Sequence, residues 1–194
     1  SEAPELAPGP QFDTFPRLQL VDKRANGGWL FSSLPAKGIG RRAEVREELM
    51  KQTVFILNGP NLNMLGKREP GIYGGKTLEA IADECRKTGD ELGLDVDFRQ
   101  TNHEGVLVDW LHEANDKAAA VLINPGAYGH TSIALHDAIR AISPPVIELH
   151  LSNIHAREEF RHKTWTAPAV KGVICGFGPD SYLLALQAAK TLIR

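Results

Sequence analysis

The segment PPVIELHLSN, residues 144–153, predicts a buried β-strand that becomes polar where it leaves the core. Its valine, isoleucine and leucines favour strands, and its two prolines can lead into a strand but not lie in the middle of a sheet. Because side chains alternate along a strand, Glu148, His150 and Ser152 lie on one side. A carboxylate, an imidazole and a hydroxyl therefore come together at a strand end. A histidine there can also be a core residue paired with a structural glutamate, so the interpretation depends on the rest of the chain.

Four more segments have the composition of strands, and two of them, 54–57 and 119–123, are continuously apolar, as expected for buried strands. They lie at 54–57, 96–98, 119–123 and 173–175, and stretches with helical periodicity separate them along the chain. Strands that alternate with helices predict an α/β fold with a parallel sheet. We expect five strands in the order 2-1-3-4-5.

Every one of these strands is followed by polar or glycine-containing residues. Right-handed crossovers bring the carboxyl ends of parallel strands to one edge of the sheet, where open α/β proteins bind ligands. Packing alone does not account for five such strand ends. We therefore predict a ligand site at this edge, drawn from Asn58, Asn61, Asn102, His103, Asn124, His130, Glu148, His150 and Ser152.

Composition excludes several classes of protein. The net charge of -2 and the absence of a basic stripe argue against nucleic acid as a partner. No apolar run approaches the roughly 20 residues of a membrane span, and no secretory signal is present. Cys85 and Cys175 lack metal-ligand spacing, so we expect two reduced thiols and a cytoplasmic protein.

Residues 1–49 differ from the rest of the chain. They contain five prolines and five glycines, and their apolar side chains show no periodicity beyond one small group at 29–31. Met50 stands directly before the first strand. We therefore expect a flexible or non-native extension at 1–49, dispensable for folding and catalysis, and a single domain at 50–194.

Three arginines lie near the predicted site. Arg68 follows the first strand in a glycine-rich loop, and Arg157 and Arg161 follow the fourth strand. Arg157 and Arg161 have the spacing of one helix face, and their guanidinium groups suit an anionic or polyhydroxyl ligand. The alternative is a solvated charged turn in which Arg157 pairs with Glu158 or Glu159.

Several kinds of catalytic site have no counterpart in this sequence. No Walker phosphate loop, complete dinucleotide fingerprint, nucleophile elbow or zinc-like ligand spacing is present. Acid–base chemistry on a small carboxylate, without a metal or cofactor, remains. A phenol has a pKa near 10, and a neighbouring arginine would lower it, so Tyr73 could serve as a base beside Arg68. Alternatively, Tyr73 is an aromatic side chain that only covers the pocket.

Four segments of the chain resemble the type II 3-dehydroquinate dehydratases. They are ILNGPNLN at 56–63, LGKREP at 65–70 followed by Tyr73, NPG at 124–126 followed by HTS at 130–132, and IELHLSNIHAREEFR at 147–161. The resemblance runs from about residue 53 to the C-terminus and leaves out 1–49. It implies a flavodoxin-like fold, a three-layer sandwich around a five-stranded parallel sheet.

The resemblance also implies a reaction, the anti elimination of water from 3-dehydroquinate to give 3-dehydroshikimate in the shikimate pathway to chorismate and aromatic amino acids. By this similarity Tyr73 removes a proton from C2 and Arg68 lowers the pKa of Tyr73. Asn61 holds the enolate through a water molecule. His150 protonates the leaving C1 hydroxyl, and Glu148 orients His150.

The resemblance assigns further residues to substrate binding. The backbone amides of Leu151 and Ser152 would bind the carboxylate. Side chains that would hold the ring hydroxyls are Asn124, His130 and Arg161, and Arg157 belongs to the same cationic turn. Asp137 matches a residue that such enzymes contribute to the site of a neighbouring subunit in trimers and dodecamers.

Two other interpretations remain open at this level. One is a flavodoxin-like module that binds FMN or a phosphorylated ligand without catalysis, although residues 58–61 lack the expected phosphate loop. The other is an inactive homologue kept for assembly, against which the presence of Arg68, Tyr73 and His150 argues. Both a biosynthetic and a quinate-degrading role fit the resemblance.

Overall fold

The computed structural model of the chain describes residues 51–66 and 76–193. The predictions for the extension at 1–49, for Arg68 and for Tyr73 lie outside these residues.

Five parallel strands form one sheet in the order β2-β1-β3-β4-β5, as predicted. Their bounds are β1 Gln52–Asn58, β2 Leu94–Gln100, β3 Ala120–Asn124, β4 Val146–His150 and β5 Gly172–Cys175. Strands β3 and β4 are buried at every position, which explains why their sequences are almost continuously apolar.

In the described part of the chain, four α-helices connect and flank these strands. Their bounds are α1 Leu78–Glu91, α2 Glu104–Lys117, α3 Ile133–Ala141 and α4 Asp180–Leu192. The hydroxyl of Thr77 accepts a hydrogen bond from the Ala80 amide and caps the start of α1. The hydroxyl of Ser132 does the same for α3 through the Leu135 amide.

The sheet has a hydrophobic core on each face, so the molecule is a three-layer sandwich. On one face, side chains such as Ile56 and Leu149 pack with residues of α1 and α4. On the other face, side chains such as Phe55 and Ile123 pack with residues of α2 and α3. Because both faces are covered, the carboxyl ends of the strands are the natural place for a ligand. Within the described ranges, no helix is long and apolar enough to cross a membrane.

Candidate active site

A cavity of about 330 Å³ lies at the carboxyl ends of β1, β3 and β4. Eight of the residues predicted to bind or transform a ligand line it: Asn61, Asn124, His130, His150, Leu151, Ser152, Arg157 and Arg161. Apolar side chains, including Leu62, Met64 and Ile154, complete the wall. The predicted gathering of polar strand ends is therefore confirmed for β1, β3 and β4.

The turn after β1 is held closely against the end of β3. The Gly59 amide donates a hydrogen bond of 2.8 Å to the carbonyl oxygen of Asn124. A Cβ atom at Gly59 would lie 2.4 Å from the carbonyl oxygen of Pro125, so no larger residue fits without moving backbone. The absence of a side chain at this position lets the two strand ends form one wall of the cavity.

The substitution Gly59→Ala should destabilise the protein by about 1–3 kcal/mol because the new methyl group overlaps a backbone oxygen. The matched control is Gly105→Ala in α2, where a Cβ would meet nothing within 4 Å. That change should leave stability unchanged or raise it by about 0.5–1 kcal/mol, because alanine favours a helix over glycine. Urea denaturation of both variants measures the difference, and equal midpoints would contradict the prediction.

Asn61 reaches the cavity from a strained backbone position. Its φ angle is 67°, in the left-handed region that few non-glycine residues adopt. The Asn61 amide donates to Oδ1 of Asn102, which also accepts from the Gln100 side chain. Asn102 therefore holds the loop that carries Asn61 and does not itself line the cavity formed by the described residues.

The imidazole of His150 is oriented by Glu148. His150 Nε2 lies 2.7 Å from Glu148 Oε1, and both side chains are buried. With Glu148 Oε1 as the acceptor, Nε2 carries the proton of this hydrogen bond. The described residues offer no hydrogen-bond partner to Nδ1, so this nitrogen is available to a ligand. The second carboxylate oxygen, Glu148 Oε2, also has no partner among them.

His130 lies beside His150, and a backbone carbonyl determines the tautomer of the His130 ring. Its Nδ1 is 2.9 Å from the carbonyl oxygen of Lys163, which can only accept, so Nδ1 carries a proton. The rings of His130 and His150 are stacked with centroids 6.2 Å apart. In the neutral ring, His130 Nε2 is therefore an acceptor for a hydroxyl in the cavity.

Arg157 and Arg161 both line the cavity, but they do not share a helix face. Two short 3₁₀ turns, 154–156 and 159–161, are separated by Arg157 and Glu158 in extended conformation. The prediction of one helical face is therefore wrong. Instead, Glu158 Oε2 lies 3.3 Å from Arg157 Nε and 2.9 Å from Arg161 Nε.

Glu158 is paired with both arginines of the turn. A hydrogen bond from its own backbone amide and the two arginines hold the pKa of Glu158 below its usual value, against the opposing effect of burial. Glu158 and the neighbouring Glu159 balance the two arginines in formal charge, but of these four residues only the arginines line the cavity. Arg157 also donates to the Ser152 hydroxyl at 3.4 Å. The charged turn thus also contributes two guanidinium groups to the cavity wall, so the two alternatives do not exclude each other.

Two predicted residues occupy unexpected surroundings. Asn58 is fully buried with both ends of its amide hydrogen-bonded internally, and it does not line the cavity. Asp137 is exposed on α3, outside the cavity of its own chain. Tyr182 is not among the residues predicted to bind a ligand, yet its hydroxyl bonds the side chains of both Asn58 and Asn124. A buried tyrosine usually has a hydrogen-bond partner, and that was the available signal.

The chain matches the family model for dehydroquinase class II over residues 52–190. A 3-dehydroquinate dehydratase of Rhizobium johnstonii is 73% identical over 143 residues, which cover 74% of this chain and 99% of the relative. The enzyme of that name from Brucella canis is 59% identical over 145 residues, covering 75% of this chain and 92% of the relative.

A solved type II dehydroquinase from Propionibacterium acnes superimposes with a TM-score of 0.71 at 46% identity, covering 73% of this chain and 98% of that one. The parallel five-stranded sheet, with its polar cavity at the carboxyl ends of the strands, places the molecule among the α/β proteins with a ligand site at that edge. The chain belongs to the dehydroquinase class II family.

Proposed function

We propose that this protein removes water from 3-dehydroquinate to give 3-dehydroshikimate, the reaction that the names of its relatives describe. Family membership supports the assignment. The observation that carries the assignment is the buried pair of His150 and Glu148. The Nδ1 atom of His150 is available at a cavity that Arg157 and Arg161 also line. An acid beside a cationic wall suits elimination of a hydroxyl from an anionic, polyhydroxylated ring.

The proposed elimination needs one base and one acid. Tyr73, as a phenolate next to Arg68, takes the proton from C2, and the resulting enolate is held through a water molecule by Asn61. The C1–oxygen bond then breaks, His150 Nδ1 gives its proton to the departing oxygen, and a C1–C2 double bond forms. Tyr73 ends as a phenol and His150 as a neutral imidazole, so one proton transfer back through solvent restores the starting state.

The wall of the cavity provides complementary groups for the rest of the substrate. The backbone amides of Leu151 and Ser152 are proposed to bind the carboxylate, close to the positive charge of the arginine turn. His130 Nε2 can accept a hydrogen bond from a ring hydroxyl, since its Nδ1 proton is committed to a backbone carbonyl. Asn124 and Arg161 are proposed to bind the other ring hydroxyls.

We further propose a homo-oligomer of trimers, assembled into a dodecamer, in which Asp137 reaches the site of a neighbouring subunit. Asp137 is exposed one helical turn after Ile133, whose side chain is 58% exposed. An exposed isoleucine beside it is consistent with a subunit contact.

The proposed domain is 50–194, supported by the family match at 52–190, and the proposed location is the cytoplasm, consistent with free Cys85 and Cys175.

The direct test is to add 3-dehydroquinate to the purified protein and follow the enone absorbance of 3-dehydroshikimate. Turnover without added metal or cofactor supports the proposal, and the absence of turnover overturns it. A visible absorbance scan of the same sample tests the rival interpretation as an FMN-binding module. That interpretation predicts a flavin spectrum, whereas a dehydratase of this family gives none.

Borohydride should not inactivate the enzyme in the presence of substrate. The alternative route to this product forms an imine on a lysine that is partly neutral, and borohydride would reduce that imine. Among the described residues, no lysine lines the cavity. Lys76 is paired with Glu84 and the Lys163 ammonium lies over the Trp165 ring. Substrate-dependent loss of activity with added mass on a lysine would contradict the enolate route.

A further inference from the structure

The hydroxyl of Tyr182 joins two asparagines at the ends of neighbouring strands. Tyr182 lies in α4 and is completely buried. Its hydroxyl donates to Asn58 Oδ1 at 2.6 Å and accepts from Asn124 Nδ2 at 2.9 Å. Asn58 and Asn124 are direct register partners in β1 and β3. The Asn124 amide therefore lies in the cavity wall, and the Asn58 amide lies behind it.

These hydrogen bonds can run in only one direction. The carbonyl oxygen of Arg99 accepts from Asn58 Nδ2 at 2.9 Å, and because a carbonyl has no proton to donate, Asn58 must turn its Oδ1 toward Tyr182. The single hydroxyl proton of Tyr182 goes to that oxygen, so the hydroxyl can only accept from Asn124. Asn124 Oδ1 is then left to accept from the Gly126 amide at 3.3 Å.

The hydroxyl keeps the proton that this arrangement requires. Burial raises the pKa of Tyr182 well above its ordinary value. The phenol is therefore neutral across the pH range in which enzymes of this kind are assayed. The Arg99 carbonyl requires Asn58 to turn its Nδ2 toward it, and the Gly126 amide requires Asn124 to turn its Oδ1 toward it. Both requirements agree with the direction of the hydrogen bonds at Tyr182.

We propose that Tyr182 is a positioning residue that fixes which end of the Asn124 amide meets the substrate. This inference rests on the proposed function, in which Asn124 binds a ring hydroxyl. One N–H of Asn124 Nδ2 and one lone pair of Oδ1 are used internally, so one of each remains for a ligand. A flipped amide would exchange these positions and present a donor where the substrate hydroxyl needs an acceptor.

The hydroxyl is needed because the remaining contact on Asn124 is weak. Without the Tyr182 hydroxyl, only the 3.3 Å hydrogen bond from the Gly126 amide distinguishes Oδ1 of Asn124 from its Nδ2. Removal of Asn58 has a different consequence, because the Tyr182 proton becomes free to donate to Asn124 and permits the reversed orientation. Asn58 does not line the cavity formed by the described residues, and its side chain bonds both Tyr182 and the Arg99 carbonyl, so the Asn124→Ala background shows whether its effect on substrate binding passes through Asn124.

The test is a double-mutant cycle on KM and kcat for 3-dehydroquinate. Tyr182→Phe and Asn58→Ala should each raise KM about 3- to 10-fold, the range expected for losing the orientation of one hydrogen-bonding group, with kcat changed less than about twofold. Asn124→Ala should raise KM at least as much. In the Asn124→Ala background, Tyr182→Phe should raise KM no further, although it still lowers the melting temperature.

A matched control separates positioning from general destabilisation. Ile81→Val removes a buried methylene from the same hydrophobic core as Tyr182 and should lower the melting temperature without changing KM. If Tyr182→Phe raises KM by the same factor with and without Asn124, or lowers only the melting temperature, the positioning role is overturned. The same conclusion follows if Asn124→Ala leaves KM unchanged. If Tyr182→Phe does not fold, Asn58→Ala tests the positioning role instead, by whether its effect on KM disappears in the Asn124→Ala background. A wild-type protein that does not turn over 3-dehydroquinate would instead overturn the proposed function, and the inference with it.

Discussion

His150→Gln should lower kcat for 3-dehydroquinate by about 10²–10⁴-fold, the range for loss of a general acid. Among the described residues, only Glu148 bonds the His150 ring, through Nε2, so Nδ1 is the nitrogen that can protonate a leaving hydroxyl. Glutamine keeps an N–H for Glu148 but cannot deliver a proton. Alanine would be a poorer choice, because it removes the partner of a buried carboxylate whose other oxygen already lacks one.

The kcat of the His150→Gln variant is measured from the rate of enone formation at saturating substrate. Its control is His112→Gln, which changes an exposed histidine on α2 far from the cavity lining and should leave kcat within about twofold of wild type. The thermal melts of the two variants should be similar. If His150→Gln retains near-normal kcat in a folded protein, His150 is not the acid, and its contact with Glu148 is only a core hydrogen bond.

The fold was predictable because its pattern is local. A strand that is buried on both faces is apolar over most of its length, and 120–123 and 146–147 show this directly. The meeting of Asn124 and His150 at one cavity followed from parallel strands alone, since the carboxyl ends of such strands share an edge. This argument needs no knowledge of side-chain contacts, which is why it succeeded.

The errors concern contacts that no local pattern determines. The spacing of Arg157 and Arg161 suits a helix, but it cannot show that Glu158 is extended between two 3₁₀ turns. Asn58 has a polar side chain of the kind that binds ligands, but its amide is hydrogen-bonded to Tyr182, which is 124 positions away in sequence. Burial and long-range hydrogen bonds decide such roles, and a single sequence reveals neither.

Tyr73→Phe should lower kcat by at least about 10²-fold, because phenylalanine keeps the ring but lacks the oxygen that receives the C2 proton. Tyr73 lies outside the described residues, so this prediction rests on the family motif and on the described chain at each end of its segment. Leu65 lines the cavity, and a Cβ atom at Gly66 would lie 3.1 Å from the Thr77 side chain. The described residues that flank 67–75 therefore lie close to each other, beside Leu65 of the cavity wall.

The Phe variant separates the two interpretations of Tyr73. An aromatic residue that only covers the pocket is replaced well by phenylalanine, so that interpretation predicts near-normal kcat. A general base predicts the large loss, and Arg68→Ala should then show a loss of similar size, since the arginine makes the phenolate available at neutral pH. Near-normal kcat for Tyr73→Phe would remove Tyr73 from the mechanism.

Hydrogen exchange at C2 distinguishes a lost base from a lost acid. In D₂O, a variant that lacks the acid still removes the C2 proton, and when the elimination is blocked the enolate returns to substrate with deuterium. His150→Gln should therefore catalyse deuterium incorporation into 3-dehydroquinate, observed by NMR, although it forms almost no product. Tyr73→Phe should incorporate none beyond the rate without enzyme, because proton removal precedes every later step. The opposite pattern would exchange the roles of Tyr73 and His150, and exchange by both variants would place the base at a third residue.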